Sequence, residues 1–152
     1  MSKGHIRRSE TVAATAATVF RFLTNLERIP EWDPGVSRVC SMTHGPLRRG
    51  SVIRHVIERD GESIHMDDEI IDYDPPWRLA LRSVHGTLNT MTYTLSAEGE
   101  RLTRLDVVLG YELPDAPPEA PVSDDLIRQG MQDALGHALR RLKEAIEREV
   151  PA

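Results

Sequence analysis

The sequence predicts an α+β domain in which one antiparallel sheet of seven strands is covered by a single long C-terminal helix. Three observations carry that prediction. Residues 36–111 run as strand after strand, each broken by glycine, proline or acidic turn residues. From Ser123 to about residue 149 the apolar positions recur at helical spacing. The chain has 152 residues, the length of one domain, enough to bury roughly 70% of its unfolded surface without a disulfide or a metal.

Residues 6–12 form the first strand. Residues 13–24 read as a helix with Val19, Phe20 and Leu23 on one face, and 25–29 as a second short helical turn that Pro30 and Pro34 end. Six strands follow, at 36–43, 51–58, 63–73, 78–84, 89–96 and 102–111. Gly45, Pro46 and Gly50 occupy the first loop, and Arg59-Asp60-Gly61-Glu62 is a hairpin signal because Gly61 accepts positive φ. Asp74-Pro75-Pro76 stops the fourth strand, since two prolines cannot continue a central one. His85-Gly86 and Glu98-Gly99-Glu100 separate the last three. Residues 112–122 hold four prolines and three acids and are too polar and kinked for a core element; with the 85–89 turn they are candidate lids.

The terminal helix begins at Ser123 as its cap, with Asp124 and Asp125 opposing the positive end of its dipole. Ile127, Met131, Ala134, Leu135, Ala138, Leu142, Ala145 and Ile146 form its apolar stripe. At about 25 residues it is nearly 40 Å long, enough to pack across the whole apolar face of the sheet. Gly130 and Gly136 interrupt it, which close approach of the sheet, room for a ligand or tolerated drift would each explain.

Composition excludes several classes. A net charge of −5 argues against nucleic acid as a partner, because phosphate binding needs concentrated Lys and Arg. Seventeen of the nineteen basic residues are Arg but they are scattered, a pattern we attribute to a GC-rich bacterial genome. The single cysteine, Cys40, excludes an internal disulfide and a multi-cysteine zinc site and reads as a small buried strand residue. No stretch approaches the ~18 apolar residues of a membrane span and the N-terminus lacks the apolar core of a signal peptide, so the expectation is a soluble cytoplasmic protein. No Gly-rich phosphate loop, Gly-x-Ser-x-Gly elbow or Cys-His nucleophile pair is present.

Three segments carry a family likeness. Ala16-Ala17-Thr18-Val19-Phe20 with the stretch from Asn25 through Trp32-Asp33-Pro34-Gly35 resembles the helix pair of the START-like (SRPBCC), polyketide cyclase/dehydrase superfamily. Asp72-Tyr73-Asp74-Pro75-Pro76-Trp77 resembles its turn between the fourth and fifth strands, and 138–146 the close of its terminal helix. Together they cover residues 6–148 of what the likeness makes a single START-like domain, 1–152. The resemblance implies a helix-grip fold, a curved seven-stranded antiparallel sheet wrapped around the long helix with an apolar cavity between them for a lipid, polyketide or similar hydrophobe. It implies no single activity, and function rests on the site.

Strand alternation selects the side chains for such a cavity, provided that no bulge flips the phase. Met91, Tyr93 and Leu95 form the inward set of the sixth strand; Leu105, Val107, Leu109 and Tyr111 that of the seventh; Leu79, Leu81 and Ser83 that of the fifth. The candidate ligand-binding residues are therefore Trp32, Ile71, Leu81, Ser83, Met91, Tyr93, Leu109, Tyr111, Ile127, Met131 and Leu135. The fourth strand is the polar exception. If Ile71 and Tyr73 face the helix, His65, Asp67 and Glu69 share that face, and a desolvated carboxylate there can act as acid or base. The same acids on a solvated strand end would instead pair with Arg54 or Arg82. His65, Asp67 and Glu69 also form a weak metal-ligand pattern; the expectation is neither metal nor cofactor.

Three functions remain open. The first is a binding protein for a small hydrophobic molecule. The second is a polyketide cyclase/dehydratase-like enzyme in which Glu69 or Asp67 removes an α-proton and Tyr93 or Arg54 stabilises the enolate. The third is a co-chaperone-like or regulatory interaction domain with an exposed apolar patch. Monomer and homodimer are both compatible with the sequence.

Overall fold

The computed structural model describes residues 2–86, 88–113 and 123–150. Strand β1 (Ser2–Val12) leads through the Thr15 cap into helix α1 (Ala16–Thr24), whose first turn Thr15 closes by accepting from the Thr18 amide. A short 3-10 turn, Leu26–Arg28, runs straight into helix α2 (Ile29–Trp32). Pro30 lies in the first turn of α2 rather than ending the segment, because a proline costs no hydrogen bond there. Then come β2 (Arg38–Ser41), β3 (Val52–Arg59), β4 (Glu62–Asp74), β5 (Arg78–Ser83), β6 (Asn89–Gly99) and β7 (Leu102–Leu113), and finally helix α3 (Asp124–Glu149). Residues 114–122, most of the predicted Pro-rich lid, lie outside the described residues.

All seven strands form one antiparallel sheet in the order β1-β7-β6-β5-β4-β3-β2. With three helices this is the predicted helix-grip α+β fold. Every neighbouring pair except β1–β7 is consecutive in the chain. The β3–β4 connection is a two-residue turn with Asp60 at φ 52° and Gly61 at φ 80°, the type I′ geometry that suits the twist of a hairpin. The Pro75–Pro76 peptide in the next turn is cis.

The core lies between the concave face of the sheet and the helices. Its fully buried side chains include Ile6, Val12 and Val19, Leu105 and Val107 of β7, and Leu139, Leu142 and Ile146 of α3. Thr103, also buried, donates its hydroxyl to the Ala14 carbonyl at 2.8 Å, satisfying a backbone acceptor where β1 turns into α1. Polar ties fix the C-terminal half of α3 in place. Glu147 accepts from the Ala13 amide and from Lys143, Lys143 donates to the Thr11 carbonyl, and Arg141 donates to the Glu31 carbonyl.

The two helix glycines differ. A side chain at Gly136 would collide with the Arg8 guanidinium of β1, so close approach explains that glycine, whereas Gly130 faces open space. Ser123 stands at the cap position of α3 without a side-chain cap hydrogen bond. Cys40 is half-buried rather than buried, standing opposite Arg54 on the face away from the core.

Candidate functional site

Three adjoining cavities open between the sheet, α2 and α3. The innermost, about 50 Å³, lies between Leu23, Leu26 and Ile29 on one side and Ile53, Ile70 and Leu79 on the other. The largest of the three, about 290 Å³, extends over β3, β4 and β6 and is lined by Val36, Ile57, Met66, Leu81 and Met91. The third, about 210 Å³, runs under α3 between Met91, Leu109, Met131 and Leu135. Asp33 and Tyr93 line all three. Mostly apolar walls with few convergent polar groups are the usual composition of a small-molecule site, and the combined space is of the usual order, ~300–1,000 Å³.

Each polar group is placed by a local cause. Asp33 follows the last residue of α2, where its amide donates to the Ile29 carbonyl and its Oδ1 accepts from the Gly35 amide at 3.2 Å. Burial pushes its carboxyl up, partly opposed by that Gly35 bond and by His55. His55 and the flanking apolar residues Ile53 and Ile57 alternate along β3 and share its cavity face. Its Nδ1 is buried 3.4 Å from an Asp68 oxygen but lacks hydrogen-bond geometry. Asp68 is also raised by burial, while His55 opposes the rise. Tyr93 stands in register between Leu79 and Val107, and burial pushes its phenol well up, which keeps it a hydrogen-bond donor. Trp32 is 5% exposed, lines two of the cavities, and its buried indole Nε1 has no hydrogen-bond partner among the described residues.

The structure redirects the fourth-strand acids. Ile70 pairs with Leu81 but Asp72 pairs with Ala80, so Ile71 is a one-residue bulge. Tyr73 beyond the bulge faces inward, edge-on to Phe20, as expected. Before the bulge the phase is reversed, and Met66, Asp68 and Ile70 line the cavities in place of His65, Asp67 and Glu69. Asp67 pairs instead with Arg54 through two hydrogen bonds of 2.8 and 2.9 Å, with His85 at 3.5 Å. That partnership lowers its carboxyl to about 2. Glu69 stands opposite Arg82, and His65 is exposed. The acids named from sequence as general acid or base therefore lie on the face away from the cavity.

Of the residues expected to line a ligand site, Trp32, Leu81, Met91, Tyr93, Leu109, Met131 and Leu135 line these cavities. The others do not. Ile71 is the bulge residue; Ser83 accepts from the Asn89 amide at 2.9 Å and closes the β5–β6 turn. Tyr111 is a core aromatic whose hydroxyl lies against Gly4, and Ile127 sits half-buried in the first turn of α3. Sequence reasoning missed Asp33, His55 and Asp68. Among the described residues no three His, Cys, Asp or Glu side chains come together as a metal-binding set.

Residues 3–147 match the family model described as polyketide cyclase / dehydrase and lipid transport. The chain belongs to this family. Solved structures agree on the fold. A START superfamily protein from Mycobacterium smegmatis is 18% identical with a TM-score of 0.79, over 96% of this chain and 99% of that one. The Zhui aromatase/cyclase from a Streptomyces species is 18% identical with a TM-score of 0.81, over 99% and 98%. A protein from Thermus thermophilus is 21% identical with a TM-score of 0.79, over 97% and 100%. No curated protein is significantly similar in sequence. No helix among the described residues is long and apolar enough to cross a membrane.

Proposed function

We propose that this family member binds a small hydrophobic molecule carrying a polar group, with its apolar part between the sheet and α3 and its polar part against Asp33, His55, Asp68 and Tyr93. The observation that carries the reading is the sharing of Asp33 and Tyr93 by three apolar-walled cavities. One polar end inside an apolar enclosure orients an amphipathic ligand. Native mass spectrometry of the protein from its own cells tests this. A stoichiometric small-molecule adduct lost on denaturation is the expected result. A clean apo mass together with no uptake of a neutral apolar dye overturns it.

A second reading has its own support. Asp33, Asp68 and His55 are titratable groups gathered in a desolvated site, the arrangement that general acid–base chemistry uses. In a cyclase/dehydratase-like reaction one of these groups removes an α-proton from a bound poly-β-ketone. Tyr93 then donates to the oxygen where enolate charge develops, and the new carbon–carbon bond closes by aldol addition before water is eliminated. Tyr93→Phe lowers the rate of ring closure of a polyketide mimic about a hundredfold on this reading; no turnover of any such mimic by the unaltered protein removes it.

A further inference from the structure

Among the described residues lining the three cavities, Asp33 and Asp68 are the acids and His55 the one basic side chain; no lysine or arginine is among them. Histidines alone oppose these half-buried acids: His55 acts on both, and His85, from outside the cavity lining, on Asp68. Burial raises both carboxyls, so a cation placed beside them would favour their ionised form. Two aromatic faces, Trp32 and Tyr93, border the same space as Asp33. Carboxylates beside aromatic faces in a desolvated site are the complement of an ammonium group, which gains both ion pairing and cation–π attraction there. A ligand carboxylate in the same place would be set against two acids in a medium that screens poorly.

We propose that the cavity selects apolar amines over apolar carboxylic acids. The inference rests on the ligand-binding reading and adds the charge of the ligand's head group. Decylamine, decanol and decanoate share one apolar chain and differ only in the head, so they separate the two ideas. Each is titrated at neutral pH against the dye N-phenylnaphthylamine bound to the unaltered protein, with circular dichroism confirming that the fold persists. Decylamine is expected to displace the dye at a concentration about tenfold below decanoate, with decanol between them. A preference of about threefold or less, or one favouring decanoate, overturns the amine proposal while leaving the cavity reading standing. Failure of the dye to bind at all removes both. Asp33→Asn and Asp68→Asn supply the second measurement: each narrows the gap between decylamine and decanoate. A loss shared equally by all three probes assigns these residues a role in packing instead and overturns the proposal.

Discussion

Helix α3 is one element with two different surroundings. From Leu135 onward its inward residues are buried against β1, α1 and α2, and Leu142 and Ile146 are completely enclosed. Glu147, Lys143 and Arg141 add polar ties to neighbouring backbone, and Glu149 pairs with Arg28 at 2.9 Å. Toward its N-terminus the same helix roofs the third cavity from Met131 onward, and Ile127 and Met131 are only half-buried. The hydrophobic stripe is continuous in sequence, yet among the described residues only its second half is closely covered. A helix can therefore anchor a fold with one end and leave the other as the roof of a cavity, with no break in its hydrogen bonding.

The largest expected effect separates the two ends directly. Leu142→Ala leaves a void in a tightly packed layer and lowers unfolding stability by about 3 kcal/mol in urea titration, with dye affinity nearly unchanged. Met131→Ala does the reverse, costing about 1 kcal/mol or less of stability and weakening dye binding several-fold. Equal stability losses at the two positions would dissolve the distinction.

Acid sharpens the same contrast through three aspartates. Asp67, held at about 2 chiefly by Arg54, contributes stability that is complete above the ordinary carboxylate range and drains as pH falls toward 2. Asp33 and Asp68, raised by burial, act with the opposite sign. Between their raised folded values and the ordinary carboxylate value the native state holds more protons than the unfolded one, so stability rises as pH falls through that window. A melting-temperature profile should therefore climb slightly on mild acidification before dropping. Asp67→Asn removes about 1 kcal/mol of the neutral-pH stability, a figure kept small by the partial exposure of its pair. A profile that falls monotonically below neutrality would contradict the buried, uncompensated state of the cavity acids.

The smallest effect lies with the glycines. Gly130→Ala adds helix propensity in open space and raises stability by about 1 kcal/mol. Gly136→Ala gains less, since the Arg8 guanidinium must move aside. Thermal melts of the two variants rank them, and the opposite order would mean that Arg8 contributes nothing where it rests.

Much of this architecture was legible from local signals. Asp60-Gly61, the two prolines after Asp74 and the stripe of α3 each act within a few residues, so strand order and helix placement followed. The site was less legible because it depends on phase and on distant cover. Ile64, Met66 and Ile70 lie on one alternation of β4, and Ile71 and Tyr73 on the other. That clash was the bulge's own signature, and following the second phase put Asp67 and Glu69 in the cavity in place of Asp68. His55 carried a readable clue, flanked two residues away on each side by Ile53 and Ile57. Asp33 carried none, because its burial comes from the seating of α2 beneath the sheet.

Strand order also has a consequence for how the chain assembles. Six strands meander, each finding its partner nearby in sequence, but β1 joins β7 across most of the chain, with Ile6 opposite Leu109. Closing a loop that long costs on the order of 4 kcal/mol of chain entropy before any contact repays it. We predict that the first strand docks last, after the meander has formed a template edge along β7. Kinetic φ-values near zero along β1, with substitutions there speeding unfolding and leaving folding unchanged, are the expected signature. Values near one would mean that the two ends of the chain meet first.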